Sequence, residues 1–304
     1  MRVWIGVLLF LGACGDEVSD ESANRLRERP LVLTTNYPLQ YCVERIVGGL
    51  GDVQCVVPTG EDPLHWHPSR GDVSRMQGAD LVVLNGASAE PWVFQASLPL
   101  SRLVDTSSDF SARFLEREGA VTHSHGGGEA HTHAATDPHT WLDPRQLEEQ
   151  AGIALSALIR RLPGREPQLR ENYGALAEDL REIDRLLLDL ERRTSGEAVA
   201  APDDVYGYLF RRTGWTMVDL NIDPEAPASD AMLASVRELL SQSGVRVVLW
   251  PSVPDEAIVE RLEREFSVRS ESFPLLVAAP GSSGADFLSE MRQNLERLAQ
   301  AFAD

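Results

Sequence analysis

The chain of 304 residues holds 47 acidic and 28 basic side chains, a net charge of -19 with histidine neutral. Such an acidic excess argues against nucleic acid as a partner, because that binding needs a basic surface, and it favours the accumulation of cations near the protein. Hydrophobic residues make up 43% of the chain, and its length suits two domains of ordinary size.

The N-terminus carries Arg2, an apolar run over residues 3–11, then Gly12-Ala13-Cys14 and a polar, acidic stretch. That order is the signature of a signal peptide, too short to span a bilayer as a stable helix. Leu11-Gly12-Ala13-Cys14 resembles the bacterial lipobox, which implies lipid attachment at Cys14 and a flexible tether over residues 15–29. An exported, membrane-anchored lipoprotein facing the periplasm or the cell exterior is therefore expected. Two cysteines remain, Cys42 and Cys55; they suit either one disulfide in an oxidising compartment or two buried thiols.

After the tether, residues 31–35 read as a short buried strand, 39–47 as a helix and 52–57 as a second strand. A loop over residues 61–69 follows, with a helix at 72–79 and strands at 80–85 and 101–105. Residues 121–136 form a glycine- and histidine-rich loop. A helix over 146–161 is broken at Leu162-Pro163-Gly164, and a second spans 166–193, where Leu169, Tyr173, Leu176, Leu180, Ile183, Leu187 and Leu190 recur at spacings of three and four. Strand-helix alternation then resumes, with strands at 197–201, 215–220 and 245–249 and helices at 205–212, 229–242, 256–266 and 285–301. The pattern predicts an α/β fold with two lobes, each a parallel β-sheet flanked by helices, bridged by one long α-helix. The expected boundaries are 1–14 for the signal peptide, 15–29 for the tether, 30–164 for the first lobe, 165–195 for the linking helix and 196–304 for the second lobe.

All seven histidines lie in the first half: His65 and His67 in one loop, His123, His125, His131 and His133 in the glycine-rich segment, and His139. Clusters of this kind read as metal-binding, because a neutral imidazole offers a nitrogen lone pair near physiological pH. His139 sits in a rigid frame, with Pro138 before it, Trp141 as an expected anchor and Asp143-Pro144 opening a helix with Asp as N-cap. His65 and His67 are two apart, so in an extended loop only one of them enters a given site. Asp203 follows a strand at its carboxyl end, where ligands bind in such sheets, and Asp204 competes with it; either also suits a helix N-cap. The chain contains no H-E-x-x-H and no G-x-S-x-G, so an enzyme is not expected.

Leu33-Thr34-Thr35-Asn36-Tyr37-Pro38-Leu39, the Asp62-Pro63-Leu64-His65-Trp66-His67-Pro68-Ser69 segment, Glu90-Pro91-Trp92, the histidine-rich loop, Asp137-Pro138-His139-Thr140-Trp141-Leu142-Asp143-Pro144 and the long helix together resemble the zinc/manganese solute-binding lipoproteins of bacterial ABC importers. The resemblance covers nearly all of the chain beyond its first 14 residues. It implies a monomer that binds a divalent metal between two lobes, zinc in the first place and manganese as the alternative, and delivers it to a membrane permease with its ATPase.

Position by position, the family's first histidine directly follows Asp-Pro, where this chain has Leu64 and then His65. The second matches His139. The third precedes Val205-Tyr206-Gly207-Tyr208-Leu209, where this chain has Asp203, and the fourth ligand, an acidic residue before Pro-Leu, is replaced by Phe273, with Glu271 two residues earlier. The expected metal-site residues are thus His65, His139, Asp203, Glu271 (or water in its place) and His67, with the four loop histidines His123, His125, His131 and His133 as auxiliaries. Fewer imidazoles and more carboxylate shift preference toward harder ions such as manganese. The competing reading is a surface adhesin or metal buffer that binds ions through the histidine-rich loop alone.

Overall fold

The computed structural model describes residues 29–123, 131–223, 229–279 and 285–303. The signal peptide, Cys14, the tether up to residue 28 and His125 lie outside the described residues.

Strand β1 (Leu31–Thr34) is followed by helix α1 (Tyr37–Val47), β2 (Asp52–Cys55), α2 (Arg70–Gly78), β3 (Leu81–Leu84) and β4 (Leu103–Asp105). The four strands form one parallel sheet in the order β2-β1-β3-β4. Helix α1 starts two residues before the expected position 39, because extended Asn36 accepts a hydrogen bond from the Leu39 amide and Pro38 occupies the first turn. A reciprocal pair of bonds between Ser69 and Asp72 opens α2 in the same manner.

Of the expected loop, the described residues 121–123 and 131–136 are strand instead. Strands β5 (Glu116–His123) and β6 (His131–Thr136) pair antiparallel, with His123 opposite His131 and Val121 opposite His133. A register shift between Arg117 and Ala120 interrupts the pairing.

Helices α3 (Pro144–Arg161) and α4 (Glu166–Arg193) follow. At 28 residues α4 is about 40 Å long. Its stripe of Leu169, Leu176, Leu180, Ile183, Leu187 and Leu190 is fully buried. The second sheet has the order β10-β9-β7-β8, all parallel, from β7 (Ala198–Ala201), β8 (Thr216–Asp219), β9 (Val247–Trp250) and β10 (Arg269–Ser272). Helices α5 (Gly207–Thr213), α6 (Asp230–Ser243), α7 (Glu256–Phe266) and α8 (Phe287–Ala303) accompany it. Helix α4 packs against α1 and α3 on one side and α5 and α8 on the other, so it touches both halves.

One hydrophobic core therefore runs through the molecule. Val32 and Val83 of the first sheet join Leu180 and Leu187 of α4 and Val199 and Val247 of the second sheet in a single buried cluster. Alternate strand residues face outward into two smaller clusters, Leu33 and Val82 with Trp66 and Trp92, and Val248 and Trp250 with Leu233 and Ile258. This alternation separates the cysteines. Cys42 lies in the central core and Cys55 packs on the outer face of the first sheet, and both are free thiols. No helix among the described residues is long and apolar enough to cross a membrane.

Candidate metal centre

The carboxyl ends of both sheets meet around the segment that links β6 to α3. Asp137 is anchored through its amide to Leu115 O, and its carbonyl accepts from Tyr208 Oη of α5 at 3.1 Å. A short 3-10 turn over Thr140–Leu142 follows, and Asp143 caps α3 through the Arg145 amide, as its sequence setting predicts. Trp141 is the expected anchor: it is buried, and its Nε1 donates to Leu275 O of the second half at 2.8 Å.

His139 is held inside this frame and is only 2% exposed. Asp137 Oδ1 accepts its backbone N–H at 3.0 Å and lies 2.7 Å from its Nδ1. A carboxylate on Nδ1 fixes the tautomer with the proton there, leaving Nε2 as the lone pair that can meet a metal. The Trp141 ring meets the imidazole edge-on at 5.2 Å and limits its rotation. Asp137 was not among the residues singled out from the sequence. Its signal was present, an acid two residues before a histidine across a proline, but that spacing becomes a carboxylate-imidazole pair only in this particular turn.

Asp137 also faces the second half. Its Oδ2 is buried without a hydrogen-bond partner, and a Cβ on Gly207 would come within 2.8 Å of it. Glycine at the start of α5 is what lets the two halves approach so closely. Beside it, Asp203 is exposed and accepts from the Val205 amide at 3.1 Å, while α5 begins at Gly207 with no side-chain cap. Neither Asp203 nor Asp204 is thus a helix N-cap. The Asp204 carboxyl is pushed up by burial; Arg117, with Nη2 at 2.8 Å, opposes this, and the charges of Asp137, Asp203 and Asp219 reinforce it.

The other expected ligands stand apart. His65 is exposed, with Nδ1 2.6 Å from Asp62 Oδ2, and His67 Nδ1 lies 2.9 Å from His65 O. Their loop is a turn rather than an extended run, so both imidazoles face outward while Trp66 between them packs edge-on against Trp92 at 5.5 Å. Leu64 is half-buried in the same turn. Glu271 on β10 is half-buried, and burial raises its carboxyl while Arg297 and Arg269 pull it back. Phe273 is buried, with its carbonyl accepting from Tyr206 Oη at 2.6 Å and its ring edge-on to Tyr206. His123, His131 and His133 lie on the β5–β6 ribbon. Among the described residues, no group of three or more His, Cys, Asp or Glu side chains is gathered closely enough to hold a metal ion. The geometry holds His139 buried and oriented by Asp137, while Asp203 and Asp204 lie on the second half ahead of α5.

A comparison with known proteins bears on this arrangement. Residues 32–301 match the sequence model of the family described as zinc-uptake complex component A, periplasmic (ZnuA). The chain belongs to the ZnuA family. It is 25% identical over 303 residues to the high-affinity zinc uptake system protein ZnuA of Bacillus subtilis, a match covering 95% of this chain and 93% of that protein. Among solved structures, the metal-dependent lipoprotein YcdH from Bacillus subtilis superposes with a TM-score of 0.78 at 23% identity, over 90% of this chain and 98% of that one. The Zn(II)-bound ZnuA-like domain of Streptococcus pneumoniae AdcA gives 0.77 at 21% identity, over 91% and 100%. Both share the ZnuA-like fold of two parallel sheets and a long helix. This ZnuA-family chain is the extracytoplasmic solute-binding component of an ABC importer.

Proposed function

We propose that this protein captures a divalent metal, zinc before manganese, between its two halves and hands it to a membrane permease and its ATPase. It does so by binding alone, without turnover. The observation that carries this reading is the buried His139–Asp137 pair at the junction of the two sheets. Nε2 of His139 is the inner donor, and Asp203 across the junction is the second. His65, or His67 beside it, closes over the ion after its loop turns inward, and Glu271 or water completes a four-donor shell of the kind zinc prefers. The lobes are assigned to residues 30–164 and 196–304 with the linking helix at 165–195. Cys14 carries the lipid that anchors a monomer outside the cytoplasm.

Calorimetric titration of the mature chain with zinc tests this. His139→Ala is expected to weaken binding by about 100-fold or more, and affinity is expected to fall in acid because a ligating imidazole must be neutral. Binding indifferent to His139→Ala would remove the proposal. The adhesin or metal-buffer reading draws on the ribbon register that sets His123 opposite His131. Deleting residues 123–133 separates the two: retained affinity favours capture at His139, and near-complete loss favours the ribbon.

A further inference from the structure

Beneath His139 lies a buried polar network that no part of the capture scheme uses. Its centre is Asn85, 1% exposed at the carboxyl end of β3. Asn85 Nδ2 donates to Pro138 O at 2.9 Å, the carbonyl immediately before His139. Asn85 Oδ1 accepts from Thr140 Oγ1, immediately after it, and from Asn36 Nδ2 and Gln150 Nε2. One amide side chain therefore grips the backbone on one side of His139 and the neighbouring side chain on the other.

Asn85 is itself held. Its backbone N–H donates to Glu90 Oε1 at 2.8 Å, the Gly86 amide donates to Glu90 Oε2 at 3.1 Å, and Thr35 Oγ1 donates to Glu90 Oε1 at 2.5 Å. The carboxylate thus staples the turn between Asn85 and itself. That turn contains three consecutive residues with positive φ, Gly86 at 75°, Ala87 at 49° and Ser88 at 64°, a conformation that residues other than glycine rarely adopt. Such strain persists only where the surroundings over-determine it, and it concentrates at functional sites. Burial, with the Asp105 charge adding to it, raises the Glu90 carboxyl to about 7, so the fold retains an unfavourably buried acid here.

We propose that Asn85, fixed by Glu90 across the strained turn, is the positioning residue that sets His139 for metal. The proposal rests on the reading that zinc binds at His139. A ligand whose backbone is clamped before binding loses little freedom on coordination, and groups that orient metal ligands contribute 10- to 100-fold in affinity in other sites.

The test uses the mature chain, with zinc affinity from competition against a chromophoric chelator and cobalt(II) absorption as a report on coordination geometry. Asn85→Asp keeps the size of the side chain and its acceptor but replaces the donor to Pro138 O. Asn85→Asp and Glu90→Gln are each expected to weaken zinc binding about 10- to 100-fold and to alter the cobalt spectrum. Leu187→Ala, which opens a cavity in the α4 stripe but removes none of the network's hydrogen bonds, is expected to lower the melting temperature while leaving affinity and spectrum unchanged. Thr140→Ser, which keeps the hydroxyl, is expected to retain wild-type binding, and Thr140→Val to weaken it. If Asn85→Asp does not fold, Glu90→Gln and the Thr140 pair give the answer. Wild-type affinity and spectrum in these variants overturn the proposal, as does an affinity loss that merely tracks melting temperature in the Leu187→Ala variant as well. A wild-type chain that binds neither ion, or binds regardless of His139→Ala, removes the capture reading and this inference with it.

Discussion

At the residue scale, a single oxygen organises the candidate donor. Asp137 Oδ1 meets both the amide and the ring of His139, so one carboxylate fixes the position and the tautomer together. Glu90 is a buried acid whose charge the fold opposes. Its carboxyl sits at about 7 in the folded protein against an ordinary value of 4.5, so between these limits the folded chain holds a proton that the unfolded chain has released. The associated stability is fully present below pH 4.5 and lost as pH rises through 7, about 3 kcal/mol in all. Urea unfolding at pH 5 and pH 8 is expected to show the wild type weakening on the alkaline side, with Glu90→Gln removing about 3 kcal/mol of that fall. Parallel behaviour of the two proteins would show that the buried acid titrates normally. Asp143, Asp204 and Glu271 are raised in the same direction by burial and contribute to the wild-type trend.

At the element scale, α4 is the member to which both halves are fastened. Its apolar stripe lies in the common core, and one short stretch of its polar face forms ion pairs with four other helices. Asp179 meets Arg45 of α1, Arg181 meets Glu148 of α3, Glu182 meets Arg292 of α8 and Asp184 meets Arg212 of α5. Most of these are exposed, where screening leaves little net gain. The Asp184–Arg212 pair differs, because Asp184 is buried and takes two bonds, 2.7 Å to Nε and 2.8 Å to Nη2. Asp184→Ala leaves a guanidinium beside α4 without that partner and is expected to cost about 2 kcal/mol in chemical denaturation, whereas Glu182→Ala is expected to stay within about 0.5 kcal/mol. Equal effects would mean that burial does not distinguish the two pairs.

At the scale of the whole molecule, the two halves are joined by hydrogen bonds to backbone groups as well as by the core. Tyr208 Oη takes the Leu115 amide at 3.2 Å and donates to Asp137 O, Trp141 donates to Leu275 O, and the Tyr37 amide donates to Val277 O at 3.1 Å. Tyr208→Phe removes the first two bonds and strands a partly buried amide, at a cost of about 1–3 kcal/mol. The expected readout is faster hydrogen exchange at the Leu115 amide, about 10-fold or more, with exchange in β1 unchanged. Unaltered exchange at Leu115 would show that the junction does not depend on this tyrosine.

The sequence by itself determined the elements with the longest local periodicity, while helices opened by a short cap, such as α1 and α2, began earlier than their patterns suggest. The unbroken stripe of α4 and the periodicity of α7 gave their limits directly, because a long amphipathic face outweighs any single residue. The parallel sheets followed from the alternation of apolar runs with helical patterns, and the DPHTWLDP segment marked His139 as the histidine best framed by its neighbours. β10 escaped because its residues, Arg269–Ser272, are polar, as an edge strand paired only with β9 permits. The β5–β6 ribbon escaped because histidine and glycine carry little strand propensity. Only the tertiary structure decided which side chains meet. It paired Asp137 with His139, set Gly207 against Asp137, turned His65 outward and divided Cys42 from Cys55 across a sheet, because contacts between distant segments depend on packing that no local pattern encodes.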